Sequence, residues 1–222
     1  MPAEGGAVEA PSHVVFALAG AVVADSIWHL SGPPLLGAPL PADSHVLADA
    51  LLLKGIFYSV AALGALTPDI DNARSTIGKR AGFVSRGIQA LAGHRTIFHS
   101  LFGLFLVGLC VWGAQYALGF ALADLGFQRA AAALGVGSPA GIAAGPVRGV
   151  ALIAFLMGYL LHIIADGLTL GGVPLFWPNP TRFGFPPERK WRFRTGSWRE
   201  PAVVVAVAAL VVVLLYFGVL RV

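Results

Sequence analysis

A chain of 222 residues that is 57% hydrophobic and only 12% charged is too apolar for a soluble domain, and its mean hydropathy of +0.77 marks an integral membrane protein. The single cysteine, Cys110, excludes an internal disulfide and any cysteine-based zinc site; inside an apolar run, it reads as a small hydrophobe. The net charge of +4 raises the question of nucleic acid, which the placement of the basic residues answers.

The opening, MPAEGGAVEAPSH, has no basic stretch of the kind that begins a signal peptide, so the first apolar run, His13–Leu30, is expected to be a retained span. A Pro/Gly loop leads to a second run, Val46–Leu66, interrupted by Asp49 and Lys54. That interruption leaves a re-entrant or tilted helix as an alternative. After a polar loop comes Ile97–Phe120, then an Ala/Gly-rich connection and Val147–Leu170, then a segment rich in Arg, Pro and Trp and the last run, Val203–Leu220. Each is near the roughly 20 residues that cross a hydrocarbon core as a helix. The expected fold is all-α: one membrane-embedded domain over residues 1–222, a polytopic bundle of about five transmembrane helices without internal repeats.

Of the 15 Lys and Arg residues, most fall in two loops. The first holds Arg74, Lys79, Arg80, Arg86 and Arg95; the second holds Arg182, Arg189, Lys190, Arg192, Arg194 and Arg199. Lys54, Arg129, Arg148 and Arg221 fall in or beside the opposite face. This asymmetry predicts that both loops and the N-terminus are cytoplasmic and the C-terminus is outside. Topology then accounts for the basic charge, and no nucleic-acid partner is expected.

In that topology the metal-type residues gather on one side. His13 opens span one, Asp69 and Asp71 in PDID end span two, His94 and His99 in GHRTIFHS open span three, and His162 and Asp166 in HIIAD approach the inner end of span four. His162 and Asp166 are four apart, on one helical face. Asp69 and Asp71 straddle one residue after the helix-ending Pro68, where both carboxylates are free to turn toward one ion. His94 and His99, five apart, do not share a face, which puts His94 in the loop and His99 in the first helical turn. Each feature alone has an ordinary structural reading; their convergence points to a site. Mixed His/Asp ligation suits Zn²⁺ first, with Mn²⁺ or Fe²⁺ as further choices, one or two ions per chain. His162 is expected about 12 Å from the end of its span, in a water-filled cavity open to the cytoplasm. Asp25, His29, His45 and Asp49 are assigned to interhelical hydrogen bonds or the outer surface, and Trp177, Trp191 and Trp198 to interfacial anchoring.

At these residues the chain resembles the YdjM family of inner-membrane, metal-dependent hydrolases. The likeness runs through His13, PDID (68–71), GKRAGFVSRGIQALAGHRTIFHS (78–100) and GYLLHIIADGLTLGGVPLFWP (158–178). It implies a multi-pass inner-membrane protein whose metal ligands are His13, Asp69, Asp71, His94, His99, His162 and Asp166. The chain departs from the family pattern at Asn72, where a further histidine is usual, and at Thr96 and Phe98, where Gly and Thr are usual. A fainter likeness to the all-helical zinc phospholipases suggests a phosphoester or lipid substrate. The expected activity is metal-assisted hydrolysis of an amphiphilic phosphoester or ester from the cytoplasmic leaflet. Asp71 or Asp166 would act as general base and Arg95, with Lys79 and Arg80 behind it, would hold an anionic group. The rival readings are a divalent-cation transporter and a non-catalytic membrane scaffold.

Overall fold

The computed structural model describes residues 10–32, 34–36, 40, 42–72, 75–92, 96–124, 145–194 and 196–222. In chain order the helices are α1 (Ala10–Trp28), α2 (Ser44–Leu66), α3 (Thr76–Ala81), α4 (Phe83–Ala92), α5 (Leu101–Asp124), α6 (Gly145–Gly167) and α7 (Arg199–Tyr216). Five of them, α1, α2, α5, α6 and α7, are long and apolar enough to cross a membrane. Short 3₁₀ turns at Pro68–Asp71 and Ile97–His99 flank the α3–α4 hairpin.

Local chemistry sets several of the ends. Asp43 starts α2, its carboxylate accepting the His45 N–H at 2.8 Å. Pro68, which has no N–H to continue the ladder, follows the α2 C-cap Thr67. Ser100 opens α5 by accepting the Gly103 N–H on its hydroxyl at 3.0 Å. That cap places His99 in the preceding 3₁₀ turn and not, as expected, in the first turn of the helix. α6 stops at Gly167 and not near Leu170, because the next residues bond elsewhere: Leu170 N–H donates to Phe193 O and Leu168 O accepts from Phe193 N–H.

α2 and α6 form the closest pair. A Cβ on Gly158 would overlap the Ala61 carbonyl oxygen, and one on Gly64 would overlap that of Phe155. Small residues of this kind let helix backbones meet where lipid offers no hydrophobic driving force. Ala21 of α1 joins Phe57, Ala61 and Ala154 in the same buried layer. α5 lies against α6 through Phe155, Tyr159 and Ile163 with Leu104, Val107 and Val111. α7 leans on α1 through Ala19 and Val211.

α2 is one continuous helix of 23 residues, and the charge that interrupts its apolar run has a buried partner. Lys54 Nζ donates to Asp25 Oδ2 at 3.1 Å and to Ser31 Oγ at 3.0 Å. Asp25 also accepts from Ser31 N at 2.8 Å, Ser31 Oγ at 2.6 Å and Tyr58 OH at 3.0 Å. This is the interhelical role expected for Asp25, whereas His29, His45 and Asp49 are exposed.

Beyond α6 the chain returns as an irregular segment fastened by isolated bridges between Thr169 and Phe193 and between Val173 and Phe183. Leu101 N–H donates to Leu175 O at 3.0 Å, which ties this segment to the start of α5.

Candidate metal centre

Two helices of the bundle and two 3₁₀ turns bring six of the predicted residues together. His13 lies one turn into α1, Asp69 and Asp71 in the turn after α2, His99 in the turn before α5, and His162 and Asp166 near the end of α6. His13 is 1% exposed, Asp69 3%, and the other four 0%. These six side chains are therefore enclosed by protein, where the sequence led to the expectation of a water-filled cavity open to the cytoplasm. With α6 ending at Gly167, His162 lies five residues from the helix end, roughly 7 Å at 1.5 Å per residue, shallower than the sequence suggests. His94 and Arg95 lie outside the described residues; Lys79 and Arg80 are exposed on α3.

The close approach at Gly158 sets the register of the site. One turn beyond Gly158 is His162, and one turn beyond Ala61 is Ala65. His162 Nδ1 meets the Ala65 carbonyl oxygen at 2.6 Å. A carbonyl only accepts, so Nδ1 carries the proton and Nε2 keeps its lone pair for a ligand role.

Around that lone pair the spacings are short. His162 Nε2 is 3.3 Å from His99 Nε2, 4.0 Å from Asp69 Oδ1 and 3.9 Å from Asp166 Oδ2. His99 Nε2 is 3.3 Å from Asp166 Oδ2 and 4.0 Å from Asp69 Oδ1. Two overlapping triads result: His99 with His162 and Asp166, and His13 with Asp69 and His162. Asp166 faces both ways, since its Oδ1 is 3.6 Å from His13 Nε2. The His13 ring stacks on that of His162 with centroids 3.6 Å apart.

Asp69 and Asp71 do not turn toward one point. Asp71 Oδ2 lies 3.4 Å from His99 Nδ1 while Asp69 Oδ1 lies on the Nε2 side of the same ring. The tight 3₁₀ turn makes residues two apart diverge, and the pair brackets the imidazole. Asp71 is thereby placed to orient His99, and Asp69 to share the central space with its Nε2.

The surrounding hydrogen bonds were not foreseen from sequence. Tyr159 OH donates to Phe98 O at 2.6 Å and clamps the His99 turn onto α6. Ser75 Oγ donates to Asp69 O at 2.8 Å, and Thr169 Oγ1 to Asp166 O at 2.7 Å. Tyr159 left a signal, being three residues before His162 and so on the same helical face. The Ala65 carbonyl left none, because a backbone acceptor has no sequence signature.

Comparison with known proteins points the same way on family. The inner membrane protein YdjM of Escherichia coli (strain K12) is 34% identical over 140 residues, which is 61% of this chain and 58% of that protein. YdjM of Shigella flexneri gives the same figures. YvsG of Bacillus subtilis (strain 168) is 28% identical over 143 residues, 64% of this chain and 68% of its own length. The chain thus spans less than two thirds of the two YdjM proteins it matches. No solved structure matches it significantly. With five helices able to span a bilayer and residues 9–222 matching the family model, this multi-pass chain belongs to the YdjM inner membrane protein family.

Proposed function

We propose that this protein is a membrane-bound metal-dependent hydrolase acting on a lipid or other amphiphilic phosphoester or ester drawn from the cytoplasmic leaflet. The observation that carries the reading is that His99 Nε2 and His162 Nε2 stand 3.3 Å apart and each lies 3.3 to 4.0 Å from both Asp69 Oδ1 and Asp166 Oδ2. Tetrahedral ligands at bond lengths of about 2.0–2.1 Å stand roughly 3.3 Å apart; the His99–His162 and His99–Asp166 separations match that spacing, and the remaining three, at 3.9 to 4.0 Å, would close on a bound divalent cation. Nitrogen and carboxylate donors favour Zn²⁺, with Mn²⁺ or Fe²⁺ as alternatives. Such an ion supplies Lewis acidity and acidifies water at the site.

The chain's own residues do the rest. Asp71 holds the His99 ring from Nδ1, and the Ala65 carbonyl fixes the His162 tautomer. The His13–Asp166 pair, at 3.6 Å, is placed to take the proton released in hydrolysis. Of the two carboxylates expected as base, Asp166 is therefore preferred over Asp71. The excess of basic residues in the loops on this side supports a cytoplasmic-face position for the centre.

The test is the purified full chain, analysed for bound metal and assayed on phospholipid and isoprenoid phosphoesters. Retained Zn²⁺ that is lost in His162→Ala and Asp166→Ala, with activity lost on chelation and regained on adding metal, supports the reading. Wild-type protein that holds no divalent metal, or hydrolysis unchanged in both variants, refutes it.

A further inference from the structure

A second feature lies outside the His/Asp centre and makes no use of it. Where α7 begins, the returning segment leaves a cleft of about 350 Å³. One wall is made by the rings of Trp191, Phe193 and Trp198; the other is Ala202, Val203 and Ala206 of α7, with Arg199 at the helix start. Arg199, Ala202, Val203 and Ala206 fall at helical spacing, so they form one stripe of α7. That stripe begins with a guanidinium and continues with small apolar residues for roughly 10 Å into the spanning part of the helix. Alanine at 202 and 206 is what leaves the groove open.

The charge around it is mainly positive. Residues 182–200 carry Arg182, Arg189, Lys190, Arg192, Arg194 and Arg199 against two acids, Glu188 and Glu200, the second buried and accepting the Gly196 N–H at 2.9 Å. Arg192 is committed to folding the loop, donating to the carbonyls of Pro186 and Pro187 at 2.8 Å each. Two others stand over the cleft's own rings: Lys190 Nζ is 5.7 Å from the Trp191 centroid and Arg199 Cζ is 6.0 Å from that of Trp198. Both tryptophans are largely exposed, at 68% and 76%. Exposed Trp rings beside cations, at the end of a spanning helix, belong at headgroup depth. A ligand for this cleft needs an anionic head at Arg199 and an apolar chain along α7.

We propose that the cleft holds one anionic phospholipid, its phosphate at Arg199 between the two tryptophans and an acyl chain against Ala202, Val203 and Ala206. The occupant is a lipid and not a free phosphate because most of the lining is apolar and follows the helix into the bilayer. A basic residue near an anionic lipid surface contributes about 1 kcal/mol, close to a five-fold preference.

Delipidated full-length protein, titrated in detergent with dioleoyl phosphatidylglycerol or dioleoyl phosphatidylcholine and read by native mass spectrometry, tests this. The wild type should retain the anionic lipid about five-fold better. Arg199→Gln should abolish that preference, Arg199→Lys should keep it, and Ala206→Trp should lower retention of both lipids. Equal retention of the two lipids by the wild type overturns the proposal, as does an unchanged preference in Arg199→Gln or unchanged retention in Ala206→Trp. Bound metal should be the same in all of these variants, so failure here leaves the hydrolase reading standing, and the reverse holds too.

Discussion

Two buried polar clusters sit on α1, twelve residues and roughly 18 Å apart, and they are built on opposite plans. Around Asp25, one carboxylate is met by one ammonium, two hydroxyls and a backbone N–H, all within 3.1 Å. Three of these donors meet on Asp25 Oδ2 and the backbone N–H on Oδ1, so the carboxylate's acceptors are filled by hydrogens of the protein itself. Around His162, three imidazoles and three carboxylates from α1, α6 and two 3₁₀ turns face one another, and the Nε2 atoms of His99 and His162, 3.3 Å apart, each lie 3.3 to 4.0 Å from Asp69 Oδ1 and Asp166 Oδ2. Burial alone does not separate the two, since both Asp25 and Asp166 are 0% exposed. The arrangement of donor atoms does. The first cluster is a bond between helices; the second is shaped like a ligand set.

The contrast can be broken at either end. The largest effect is expected at Lys54→Met, which leaves Asp25 buried without its ammonium and should cost about 3–5 kcal/mol. Denaturation of the detergent-solubilised protein measures it. Adding Asp25→Asn should recover most of the loss, and bound metal should stay at the wild-type level. Metal loss in Lys54→Met protein that is still folded would mean the clusters are coupled. Next comes Asp71→Asn, which removes the orienting carboxylate at His99 Nδ1 and should weaken Zn²⁺ binding about 10- to 100-fold in a competition titration. A complete loss of binding would instead make Asp71 a direct ligand. The smallest effect belongs to Tyr159→Phe. Losing its hydrogen bond to the Phe98 carbonyl should cost about 1 kcal/mol, seen as a lower melting temperature, with Zn²⁺ affinity shifted less than in Asp71→Asn.

The spans were legible because length and apolarity report directly on what a bilayer accepts. Their ends were not: α6 stops at Gly167 because Leu168 and Leu170 bond to Phe193, a contact far along the chain. His162 and Asp166 were legible as a pair because helical period fixes which residues share a face. The divergence of Asp69 and Asp71 was hidden in the 3₁₀ geometry that follows Pro68, and His94 and Arg95 lie outside the described residues. In the Asp25 cluster, Asp25 and His29 are four apart and would share a face of an unbroken helix. The partners are Ser31 and Lys54, because His29 adopts a left-handed φ of 49° and leaves the helix. A local period cannot report a helix end of that kind.

α1 is fastened at both of its polar levels, by His13 to α6 at one end and by Asp25 to α2 at the other. A slide of one helical turn, about 5.4 Å, would undo both attachments together. The helix therefore has no freedom to adjust its depth alone. In a thicker or thinner bilayer, α1, α2 and α6 would tilt as one body, so hydrophobic mismatch would reorient the centre relative to the membrane plane while its internal spacing stayed fixed.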